Sequence, residues 1–130
     1  MFTMPISTLN LGAILELIGL NNLCWSILHI WAISNQDSEL DIFRLEEKTK
    51  DETGYPLAWN ELIAIARDLE QVNECTIVGI SPSKQLPDRS LSLEELRSIC
   101  DIVIEGVDST TWEISVQNEE LRRKLAKIFS

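Results

Sequence analysis

One histidine, His29, and three cysteines, Cys24, Cys75 and Cys100, are the residues of this chain best suited to acid–base or nucleophilic chemistry. His29 lies between Trp25 and Trp31 in an apolar run. A carboxylate brought beside it by folding would make it a general base. No nucleophile motif accompanies it, and a half-buried histidine satisfied by one neighbour is the simpler reading. The cysteines are far apart and form no C-x-x-C pair, which argues against a disulfide framework and a structural zinc site. Each adjoins apolar residues and reads as a small buried hydrophobe. A His–His or Cys–His ligand spacing is missing as well.

Phosphate chemistry has no cradle in this sequence. Gly54, Gly79 and Gly106 stand alone, Gly12 and Gly19 belong to the first helical segment, and no G-x-x-x-x-G-K, G-x-G-x-x-G or G-x-S-x-G occurs. Carboxylates are so numerous that a pair meeting in space by abundance diagnoses no hydrolase. No catalytic, cofactor or metal residue is therefore expected. A small enzyme built on His29 is the least favoured reading.

Charge is more informative. The net charge of −10 repels nucleic-acid backbones and anionic membranes. Residues 1–34 carry one formal charge, Glu16, whereas residues 35–54 carry seven acids, Asp37, Glu39, Asp41, Glu46, Glu47, Asp51 and Glu52, against three bases. Those seven are the candidate protein-interaction residues, and the alternative is a solvated face that keeps the protein soluble. Arg122, Arg123, Lys124 and Lys127 form the basic cluster, which reads as a helix face complementing the macrodipole. Nucleic-acid binding would need a broader basic footprint. The apolar N-terminus lacks a basic n-region before Arg44, and Glu16, Asn21 and Asn22 interrupt it. Neither a signal peptide nor a membrane span is expected, and a soluble bacterial or cytoplasmic protein is the natural reading.

Several elements must position these groups. Leu11, Ile14, Leu15 and Ile18 recur at helical spacing between an Asn10 cap and a Gly19 stop. Residues 24–33 are apolar on both alternating faces, with Trp25, Ile27, Trp31 and Ile33 on one, and predict a strand covered on both sides or central in its sheet. Ser38 and Asp41 resemble a capping box for a helix over 39–50. The clearest stripe, Leu62, Ile65, Ala66, Leu69 and Val72, predicts a helix over about 58–72. A short strand over 75–80 and a proline-containing loop follow. Ser92 and Glu95 form a capping box that opens the next helix. Paired strands are expected at 101–107 and 111–116, then a final helix over 118–129 burying Leu121, Leu125, Ile128 and Phe129.

The expected fold is thus a single α+β domain over 1–130, in the order α-β-α-α-β-α-β-β-α. A mostly antiparallel sheet of about four strands carries the helices. Of the four tryptophans, most are expected in the core, and one exposed beside Tyr55 would be a binding anchor. With no catalytic signature, the expected function is non-enzymatic binding of a basic protein, as by immunity-type inhibitors. The alternative is an accessory subunit, homodimeric through an apolar surface, in which the acid serves only solubility.

Overall fold

Asn10 and Gly19 bound the first helix as their chemistry requires. The Asn10 side chain accepts the Ala13 amide at 2.8 Å, and Gly19 ends α1 (Leu11–Ile18) at φ 73°. The computed structural model describes residues 2–129, except the side chains of Thr8 and Phe129, so Phe129's expected burial lies outside the described residues. Four more helices follow: α2 (Ile42–Lys48), α3 (Trp59–Arg67), α4 (Leu93–Ile99) and α5 (Glu119–Phe129). Six strands form one antiparallel sheet: β1 (Phe2–Pro5), β2 (Cys24–Ser34), β3 (Tyr55–Leu57), β4 (Leu69–Ile80), β5 (Ile102–Val107) and β6 (Thr111–Val116). Their spatial order is β1-β6-β5-β4-β2-β3.

The α+β class and the antiparallel sheet are as expected; the strand number and element order are not. The two added strands, β1 and β3, are only four and three residues long, and both lie at sheet edges. Too short for visible alternation, they exist because β6 and β2 offer them unpaired backbone. The strongest predicted helix is also cut short. Asp68 ends α3, and Leu69 and Val72 turn from its stripe into β4, pairing with Ser34 and Ala32. An eleven-residue β2 needs a long partner, and ladder hydrogen bonds there override helical propensity. The expected Ser38 cap moves too. Ser38 closes a turn on the Leu40 amide, and Asp41 caps α2 by accepting the Arg44 amide.

One face of the sheet packs beneath α1, α3 and α5. Trp25, Ile27, Ile30, Cys75, Ile77, Ile104, Trp112 and Ile114 meet Ile14, Leu15, Leu62 and Leu125 in the main core. Across the sheet a smaller cluster joins Leu28, Val78, Ile80 and Val103 to Leu96 and Cys100. The helix α4 therefore covers only part of this second face.

A bulge decides which side chains reach each face. Ile27 pairs with Ile77 and His29 with Thr76, so Leu28 is an extra residue in β2. The expected alternation breaks there. Trp25, Ile27, Ile30 and Ala32 share the core face, while His29, Trp31 and Ile33 turn to the other. Trp31 and Ile33 are consequently 56 % and 47 % exposed, so β2 lies inside the sheet, between β4 and β3, without being covered on both sides. Among the described residues no helix is long and apolar enough to cross a membrane.

Candidate functional surface

The seven acidic residues follow one path along α2. Asp37 and Glu39 lie in the loop before it, Asp41 caps it, Glu46 and Glu47 sit on it, and Asp51 and Glu52 occupy the turn after it. Six are exposed and Glu46 is half-buried. Leu45 anchors the helix in the main core, with Leu40 and Ile42 packed beside it. The acids therefore face outward because the apolar positions between them face inward. Only Glu47 has an ion-pair partner among the described residues, Lys50 at 2.8 Å.

Glu46 reaches a shallow cavity of about 260 Å³ with His29, Trp31, Thr49, Lys50, Glu74 and Arg89. His29 Nε2 stands 3.5 Å from Glu74 Oε2. Neither a cysteine nor a serine is among the described residues that line this cavity. Thr49 Oγ1 is engaged, donating to the Glu46 carbonyl at 2.7 Å. Among the described residues no group of three or more His, Cys, Asp or Glu is placed to hold a metal ion. The cysteines are free. Burial pushes the Cys75 thiol up to about 12 and the Cys100 thiol to about 11, whereas Cys24 is exposed, contrary to its expected burial.

Beyond the cavity the second sheet face carries a second set of acids, Glu74 partly exposed and Glu105 and Glu113 mostly buried beside Arg97 at the border of the part that α4 covers. Sheet registers align His29, Thr76, Glu105, Glu113 and Thr3 in one row across β2, β4, β5, β6 and β1. With strands about 4.8 Å apart, that row runs roughly 19 Å. Trp31 sits opposite Glu74 in the next row, and Ile33 opposite Gln71. Glu105 and Glu113 face each other directly, a cross-strand arrangement that costs stability. Arg97 of α4 reaches across both, with Nη2 at 3.4 Å from Glu105 and 3.3 Å from Glu113. Its buried Nε has no hydrogen-bond partner.

Burial raises the Glu105 pKa, the Glu113 charge adds to that, Arg97 opposes it, and Glu74 raises it further. The native state thus holds this proton more tightly than the unfolded chain does. Its contribution to stability is greatest below the ordinary carboxylate pKa of 4.5 and is lost as pH rises through the raised value. Urea unfolding of wild type and Glu105→Gln should give matching stabilities near pH 4, with the variant gaining on wild type toward pH 7. Curves that stay parallel over that range would show that the repulsion is already neutralised.

Two of the four bases on α5 are engaged locally. Arg122 donates to the Val116 carbonyl through Nε at 3.1 Å and Nη2 at 2.8 Å, and Glu119 pairs with Arg122 and Arg123. Three of the tryptophans are core or packed against it: Trp25 and Trp112 are buried, and Trp59 packs on Trp25 with ring planes tilted by 39° and centroids 5.0 Å apart. Trp31 is the exposed one. The chain matches no protein-family model, no curated protein and no solved structure.

Proposed function

We propose that this chain is a non-enzymatic protein-binding domain whose acidic surface takes a basic partner protein, as a stoichiometric immunity-type inhibitor would. The observation that carries the reading is the acidic segment along α2, in which six of seven carboxylates lack a cationic partner among the described residues. Carboxylates left without internal cations project their field into solvent, where it accelerates encounter with a positive surface. An accessory subunit that associates through an apolar surface is the second reading. Phe43, 77 % exposed on α2, and Trp31 favour it.

Association kinetics separate the two. The partner is captured on the immobilised protein from its native cell. Its k_on is then measured against ionic strength for wild type and for the Glu46→Gln, Glu47→Gln, Asp51→Asn, Glu52→Gln quadruple variant. The variant loses one exposed ion pair, worth about 0–1 kcal/mol, so the fold survives. Its k_on should fall roughly tenfold at low salt and lose much of its salt dependence. Equal rates and equal slopes would make the segment a solvated face and put the apolar reading first.

A further inference from the structure

We propose that the uncovered half of the sheet's second face is the contact surface, and that it receives a basic segment of the partner carrying arginine or lysine beside an apolar side chain. This rests on the basic-partner reading above and adds where the partner sits and what it presents. The acidic segment of α2 then steers the encounter, and the sheet face makes the contact.

Two properties of the face select that occupant. First, Trp31 and Ile33, two residues apart on β2, project from the same side and are each about half exposed. Neighbouring apolar side chains on a β-strand form a continuous strip, and tryptophan is among the residues that contribute most when an interface covers it. Second, the strip is bordered by carboxylates that the chain balances only in part. Glu74 has His29 at 3.5 Å, while Glu105 and Glu113 share the single guanidinium of Arg97. The Arg97 contacts are longer than the 2.7–2.9 Å usual for charge-assisted bonds. One cation thus serves two carboxylates at a stretched distance, and a third stands beside them.

Geometry places the two halves of the ligand. Trp31 is directly opposite Glu74 in the ladder, so an apolar side chain over Trp31 puts its neighbour above Glu74 and Glu105. A second cation there relieves the repulsion between Glu105 and Glu113 in the way Arg97 does in part. Lys50 and Arg89 stand with Trp31 and Glu74 in the cavity that Glu46 also lines. They bias the partner's cation toward Glu105 and Glu113 and away from α2. An anionic or purely apolar ligand would leave Glu105 and Glu113 with one shared guanidinium under a dry contact, which is costly.

The test uses two acetylated, amidated hexapeptides: one with two copies of Arg-Leu-Gly, one with two copies of Arg-Ser-Gly. They are titrated to millimolar concentration into isotopically labelled protein and followed by amide and indole NMR shifts. The leucine peptide should bind about tenfold more tightly than the serine peptide, a difference of about 1.4 kcal/mol. Its shifts should centre on the Trp31 indole N–H and on Ile33, Glu74, Thr76 and Glu105. Trp31→Ser should remove the preference for leucine, and Glu74→Gln should weaken both peptides. Both side chains are substantially solvent-facing, so both variants should fold.

Equal affinity for the two peptides, with shifts confined to residues 37–52, would overturn the contact surface while leaving the basic-partner reading standing. No shift from either peptide would overturn the contact surface, and the partner's k_on would then decide the broader reading alone. A wild-type dimer that Trp31→Ser converts to monomer would overturn it too, because the face would be covered by a second copy.

Discussion

Gly54→Ala is expected to destabilise the protein by roughly 2–5 kcal/mol, combining a left-handed backbone cost with overpacking. Gly54 is buried at φ 73°, a conformation that disfavours any side chain. A Cβ there would stand 2.5 Å from the Ile27 carbonyl oxygen and 2.9 Å from the Leu28 Cα. Both are backbone atoms at the β2 bulge and cannot step aside. The same turn is fastened twice more, by the Gly54 amide to the Asp51 carbonyl and by Ser26 Oγ to the Thr53 carbonyl. Loosening it would release the acidic turn and the bulge together. Gly12→Ala is the control. Gly12 lies in α1, its Cβ would meet only Asn10 Oδ1 at 3.4 Å, and the change should stabilise by about 0.5–1 kcal/mol. Urea midpoints for the two variants should move in opposite directions. A Gly54→Ala midpoint equal to wild type would mean that the turn re-forms with an ordinary φ.

The legible parts of the fold are those whose instructions are local. The Asn10 cap, the Ser92–Glu95 capping box and the hairpin around Asp108 and Ser109 lie where their residue types put them. Ser92 Oγ accepts the Glu95 amide, and Glu95 returns a carboxylate oxygen to the Ser92 amide. The missed parts depend on distant partners. Leu69 and Val72 continue a good helical stripe, and only pairing with Ser34 and Ala32 explains their extended backbone. β1 and β3 carry no pattern of their own. The bulge at Leu28 is also unreadable from an uninterrupted apolar run, and that one residue determines whether Trp31 points to core or solvent.

The candidate surface divides the same way. The seven acids of the α2 segment are visible as a charge density. The carboxylates of the sheet face were hidden in the remaining net charge, although a signal existed. Once strands at 101–107 and 111–116 pair around Asp108 and Ser109, Glu105 falls opposite Glu113. Glu74 carries no such signal, because the sequence pattern runs the helix to about 72 and starts the strand at 75, whereas Glu74 lies in the middle of β4. His29 is where the strand reading puts it, about half exposed, with the Glu74 carboxylate beside it.

Trp112→Ala should be the most damaging single truncation in the core, at about 3–5 kcal/mol against a total of about 5–15 for a domain. Trp112 is 1 % exposed and lies directly opposite Gly106, whose missing Cβ leaves space for the indole. A Cβ at Gly106 would come 3.2 Å from the Trp112 ring. Removing the indole therefore opens a void that no neighbouring side chain is built to fill. The ring also ties the chain's ends together, donating from Nε1 to the Leu9 carbonyl at 2.7 Å across 103 residues. Trp112→Phe keeps most of the volume and loses that bond, so it should fall between wild type and alanine, with about 1–3 kcal/mol due to the unpaired carbonyl. The damage should reach the sheet face. Met4 of β1 pairs with Trp112, and Thr3 pairs with Glu113, the next residue of β6. Amide exchange in Trp112→Ala should accelerate first along β1 and β6, and the Glu113 end of the carboxylate row should lose its order with them. Uniform acceleration across all six strands, or a stability within 1 kcal/mol of wild type, would show that Trp112 fills space without joining β1 and the Leu9 segment to the sheet.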